Sequence, residues 1–179
     1  MIGRAVTGIF MALALGLTLG AGPAAAKALT FKASLSGDKA PTLTGSKATG
    51  RATIVLDTDR QVVSVSLDVR GLSVDQLSAS LRKAPMGPIH LHIYAGHSHG
   101  AADDAELLFP LPYGAAYAPT ADGFSVRVKD QPFAPAAQLV KSRATFDEFL
   151  TALQAGRIVL NIHTIAQPDG EISGDVTPA

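Results

Sequence analysis

Alternation of apolar and polar residues dominates the chain after its first 26 positions. Leu29, Phe31, Ala33 and Leu35 alternate with Thr30, Lys32 and Ser34, the period of a strand with one face buried. After a Pro-, Gly-, Thr- and Ser-rich loop from Asp38 to Gly50, Ala52–Leu56 and Val62–Val69 read as a hairpin across the polar connector 57–61. Val63, Val65, Leu67 and Val69 belong to its core face, and Ser64, Ser66 and Asp68 to its wet one. Val74–Arg82 is read as a short helix or irregular pairing, closed off by Pro85, Gly87 and Pro88.

Further strands are expected at Ile89–Tyr94, Leu107–Leu111, Gly123–Val128, Arg157–Ile165 and Glu171–Val176, with loops at Gly96–Asp104 and Pro112–Thr120. One helix interrupts them. Thr145 and Glu148 have the spacing of a capping box, Phe146, Phe149, Leu150 and Leu153 share a helical face, and Gly156 stops it. Gln167-Pro168-Asp169-Gly170 is a turn sequence joining the last two strands. The pattern as a whole predicts an all-β domain with one short α-helix, an antiparallel β-sandwich or flattened Greek-key barrel.

The first 26 residues follow a different pattern. Arg4 precedes an uncharged apolar run, Ile9–Leu19, then Gly20, Gly22 and Pro23, and then Ala24-Ala25-Ala26. This reads as a secretory signal peptide cut before Lys27, with residues 27–179 as the mature domain in a periplasmic or extracellular location. The apolar run is shorter than the roughly 20 residues of a membrane span, so no stable span is expected after cleavage. Without Arg4 the mature part carries 14 Lys and Arg against 15 Asp and Glu, which gives no footprint for nucleic acid. Cysteine is absent, which excludes disulfides, thiolate metal sites and cysteine nucleophiles.

Five histidines carry the candidate chemistry. In a strand, residues i and i+2 point to the same side. His90 and His92 therefore lie side by side, opposite to Ile89, Leu91 and Ile93. The same parity separates Asn161 and His163 from Ile158, Leu160 and Ile162. If those two strands are neighbours, His90, His92 and His163 converge on an outer face as three imidazole ligands, a set that suits zinc or copper. His97 and His99, in the Gly-bounded loop 96–100, are possible extra ligands, as are Asp103, Asp104 and Glu106; Met86 would tilt the choice toward copper. The competing reading makes the histidines structural, each bonded to a carbonyl or carboxylate, with Glu171 the natural partner for His163. No catalytic residue set emerges beside them.

Several motifs resemble the chordin-type (CHRD) domain. They are Phe31-Lys32-Ala33-Ser34-Leu35-Ser36-Gly37, Gly50-Arg51-Ala52, Val69-Arg70-Gly71-Leu72, Ile89-His90-Leu91-His92-Ile93, Ala155-Gly156, Asn161-Ile162-His163-Thr164 and Pro168-Asp169-Gly170-Glu171-Ile172-Ser173-Gly174. Ser173 departs from the arginine usual there, and His97-Ser98-His99 and residues 111–138 look like elaborations. The resemblance implies a β-rich extracellular module with no established enzyme activity. A more distant likeness to copper-zinc superoxide dismutase rests on the outward His-x-His strand and a distant strand histidine. It lacks the bridging histidine, zinc ligands and cysteine pair, so it carries no activity. Three functions follow as expectations. The first is a non-catalytic exported module that binds zinc or copper, or a protein or envelope partner, through its histidine face. The others are a metal-dependent redox or hydrolytic enzyme using the same histidines, and a metal-free structural envelope or matrix protein.

Overall fold

The structure, a computed structural model, describes residues 28–39, 41–96 and 105–179. The proposed signal peptide and the histidines at 97 and 99, with Asp103 and Asp104, lie outside the described residues. Nine strands form one sheet: β1 (Ala28–Ser36), β2 (Thr49–Asp57), β3 (Val62–Arg70), β4 (Ile89–Tyr94), β5 (Ala105–Leu111), β6 (Tyr117–Pro119), β7 (Gly123–Pro132), β8 (Ile158–Ile162) and β9 (Ile172–Pro178). Their order is β5-β4-β8-β9-β1-β2-β3-β7-β6, and every neighbouring pair is antiparallel. The sheet curls around one core, as expected of a barrel-like β domain.

Strand parity builds that core. Phe31, Ala33 and Leu35 of β1, Ala52, Ile54 and Leu56 of β2, and Val63, Val65, Leu67 and Val69 of β3 are all buried in it. Ile89 and Leu91 of β4 and Ile158, Leu160 and Ile162 of β8 complete it from the other half of the sheet. The two edge strands come close at one end, where the Tyr117 hydroxyl donates to the Leu111 carbonyl at 2.6 Å.

Two helices, not one, pack on the sheet: α1 (Phe133–Leu139) and α2 (Phe146–Gln154). The capping box of α2 is present, with Thr145 Oγ1 accepting from the Glu148 amide and the Glu148 carboxylate accepting from the Thr145 amide at 2.7 Å. The second helix corrects the sequence reading. Pro132 and Pro135 look like breakers, yet Pro132 is the N-cap of α1 and Pro135 lies in its first turn, where a missing N–H costs nothing. Phe133 then stacks with both Phe109 and Phe149, with ring centroids 6.1 and 5.1 Å away. The expected loop 112–120 also holds the short strand β6, whose Tyr117 fills the core. Val74–Gln76 and Leu81–Lys83 are single 3-10 turns.

What matters for the site is the pairing of β4 with β8, about seventy residues later in the chain. The C-terminal hairpin β8–β9 inserts between β4 and β1, so residues from Ile89–Ile93 face Ile158–Ile162 in antiparallel register.

Candidate metal centre

His90 pairs with Asn161, and His92 with Val159. Opposed residues in an antiparallel pair project to the same side, so all four share the face away from Ile89 and Leu91. His163 follows one residue past the end of β8, not mid-strand. Its backbone nonetheless continues the register, because its N–H donates to the Pro88 carbonyl at 2.9 Å. It is thus two positions from Asn161 on the same side, diagonal to His90.

The three rings meet. Centroids are 4.7 Å apart for His90 and His92, 4.5 Å for His90 and His163, and 6.1 Å for His92 and His163. One ring nitrogen from each residue lies within 4.8 Å of the other two. Among the described residues these three histidines form a cluster that can hold an ion, and Glu106 is not part of it. The Glu106 carboxylate instead accepts from the Ser142 hydroxyl at 2.8 Å and the Arg143 amide at 3.1 Å.

The face is not wet. His90 is only 4% exposed and His163 8%, while His92 is half-buried. All five residues of β8 are buried on both sides of the sheet. Loop segments provide part of the cover: the Pro85–Pro88 stretch ahead of β4 and the turn 167–170 ahead of β9. Each also supplies a hydrogen bond. His90 Nδ1 lies 3.2 Å from the Gly87 carbonyl, and His163 Nδ1 lies 2.8 Å from the Pro168 carbonyl. A carbonyl oxygen can only accept, so both rings carry their proton on Nδ1 and keep the lone pair on Nε2.

Several polar atoms of the face are left without a partner among the described residues. They are both ring nitrogens of His92, Nε2 of His163 and Oδ1 of Asn161. Buried polar atoms are nearly always paired, so such a concentration marks a site. Burial also settles the charge. Desolvation first, and then the neighbouring imidazoles, pull His90 down to about 3 and His92 to about 4 from the ordinary 6.5. Desolvation lowers His163 too, opposed by its bond to the Pro168 carbonyl and by Asp169. All three rings are therefore neutral at pH 7, the state a metal requires.

Glu171 does not partner His163. Its carboxylate accepts from the Thr164 hydroxyl at 2.8 Å, and its amide continues the pairing to Ile162. The turn that it follows is the more telling feature, and sequence reading gave it no part in the site.

Residues 31–176 match the CHRD domain. The chain belongs to the CHRD domain family. Neither the curated proteins nor the solved structures contain a significant match. In this CHRD domain, the His-x-His strand and the Asn-Ile-His-Thr segment are thus the two walls of one cluster. Among the described residues no helix is long and apolar enough to cross a membrane.

Proposed function

We propose that this CHRD domain is an exported, non-catalytic binding module that holds one zinc or copper ion through His90, His92 and His163. The observation that carries the reading is the convergence of three neutral imidazoles, with the ring nitrogens of His92 and Nε2 of His163 buried and unpartnered among the described residues. Two of the rings are already held in the tautomer that offers Nε2, by backbone carbonyls of the kind that orient metal-bound histidines. A nitrogen-only donor set of this type suits zinc and copper and not calcium or magnesium, which prefer oxygen. The nearest register positions on the face are Asn161, Val159 and Pro110, none of them an acid or a base. That favours holding the ion over reacting a substrate at it. Export rests on the leader pattern of residues 1–26.

A tetrahedral ion with bonds of about 2.0–2.1 Å needs its nitrogens about 3.4 Å apart. Loading therefore draws the ring nitrogens together, by up to about 1.4 Å where they are the full 4.8 Å apart. The test is elemental analysis of protein purified without a His tag, after loading near neutral pH and removal of free ion. About one zinc or copper per chain is expected, falling below about 0.1 in His90→Ala and in His163→Ala. Wild-type protein that also stays below about 0.1 ion per chain overturns the reading.

A further inference from the structure

The turn between β8 and β9 is built more tightly than a hairpin connection needs. Gly170 N–H donates to the Gln167 carbonyl, and the Gln167 amide donates to Thr164 Oγ1. The Thr164 hydroxyl in turn donates to the Glu171 carboxylate. Against this turn lies Asn161, buried to 3% exposure on the histidine face and opposite His90 in register. Its Nδ2 donates to the Asp169 carbonyl at 3.3 Å. Gly170 sits on the same amide: a Cβ there would meet Asn161 Oδ1 at 2.5 Å and Nδ2 at 2.6 Å. Its φ of +132° is also one that only glycine adopts readily. The neighbouring carbonyl, Pro168, accepts from His163 Nδ1.

We propose that Asn161 is a positioning residue: through the 167–170 turn it holds the Pro168 carbonyl against His163 Nδ1, fixing His163 as the tautomer that presents Nε2 to the cluster. The chain of contacts is short. Asn161 holds residue 169, residue 168 holds the ring, and Gly170 allows the backbone to close over the amide. Stability alone does not explain the choice of residue. Asn161 Oδ1 is buried without a partner among the described residues, a cost that an aliphatic side chain of similar size avoids. The one bond that the amide makes among them is to the turn. The purpose of the lock rests on the metal reading, but its geometry does not.

The test separates the two. Metal-free protein labelled with ¹⁵N is examined at about pH 7.5, a unit above the ordinary imidazole value, by two-bond proton–nitrogen correlation, which distinguishes the tautomers. Wild-type His163 is expected as a single Nδ1–H tautomer, with the Asn161 side-chain amide slow to exchange. In Asn161→Leu, His163 is expected to become a mixture of tautomers, and zinc affinity to fall by about tenfold, the low end for loss of an outer-shell partner. A single unchanged tautomer with unchanged affinity in that variant overturns the lock. If the variant does not fold, the wild type decides alone: a fast-exchanging Asn161 amide or mixed His163 tautomers overturns the lock, and a protected amide with one tautomer supports it. A tautomer change without zinc binding in either protein leaves the lock standing and removes the metal reading.

Discussion

Acidification from pH 7 to pH 4 is expected to remove several kcal/mol from the folding stability of the metal-free protein. The unfolded chain titrates its histidines near 6.5, whereas the fold holds His90 near 3, His92 near 4 and His163 below its ordinary value. Between those limits the unfolded state binds more protons than the folded one, so stability falls as pH falls. The full stability is present above about 6.5, and the loss runs down to the folded values. Each unit of difference is worth about 1.4 kcal/mol per ring, and the three rings share one pocket, so the losses are coupled. Urea unfolding in the presence of chelator at pH 7, 5.5 and 4 measures this directly. Surface carboxylates contribute mainly below about pH 5, so the step between 7 and 5.5 belongs to the histidines. A stability that stays level over that step would contradict neutral burial of the cluster.

His92→Leu should make the metal-free protein more stable and the metal-loaded protein less so. Both nitrogens of this ring are buried with no partner among the described residues. Leaving a buried polar group unpaired costs about 1–3 kcal/mol, and leucine has no such group. The space is apolar on either side, with Val159 opposite on β8 and Leu107 opposite on β5. In chelator the variant should therefore unfold several degrees above wild type, at about 2–4 °C per kcal/mol for a domain of this size. With zinc at about a thousand times its dissociation constant, wild type should gain about 4 kcal/mol and the variant far less, reversing the order. A structural histidine behaves in the opposite way. If His92→Leu lowers the melting temperature in chelator and zinc does nothing to either protein, the ring is there to support the strands.

Most of the fold could be read in advance, because strand parity is a local property. The alternation in 29–35, 62–69 and 89–93 assigned the core face of β1, β3 and β4 residue by residue, and the same rule put His90 and His92 together. Parity also put His163 on the outer side, although the strand ends one residue before it. What parity does not carry is what lies above a face. Parity marks the outer side of β4 and β8 only as the non-core face, which a loop is free to cover; the segments ahead of β4 and β9 help to cover it, and no alternation announces which segments do so. Adjacency of β4 and β8 is likewise a long-range property, set by the insertion of the C-terminal hairpin. The helix α1 was missed because proline signals a break except in a first turn, and its first turn is where this one falls. The tautomers of His90 and His163 depend on two carbonyl groups, and side-chain identity says nothing about those. The CHRD motifs did mark the right segments, including the Pro-Asp-Gly-Glu turn, without indicating that the turn bonds a histidine.

The most direct test is a crystal of the zinc-loaded protein measured on both sides of the zinc absorption edge. One anomalous peak is predicted within about 2.0–2.1 Å of a ring nitrogen from each of His90, His92 and His163, with Nε2 as the ligand atom of His90 and His163. No peak at the cluster, or zinc only on other side chains while the three rings keep their metal-free spacing, would contradict it.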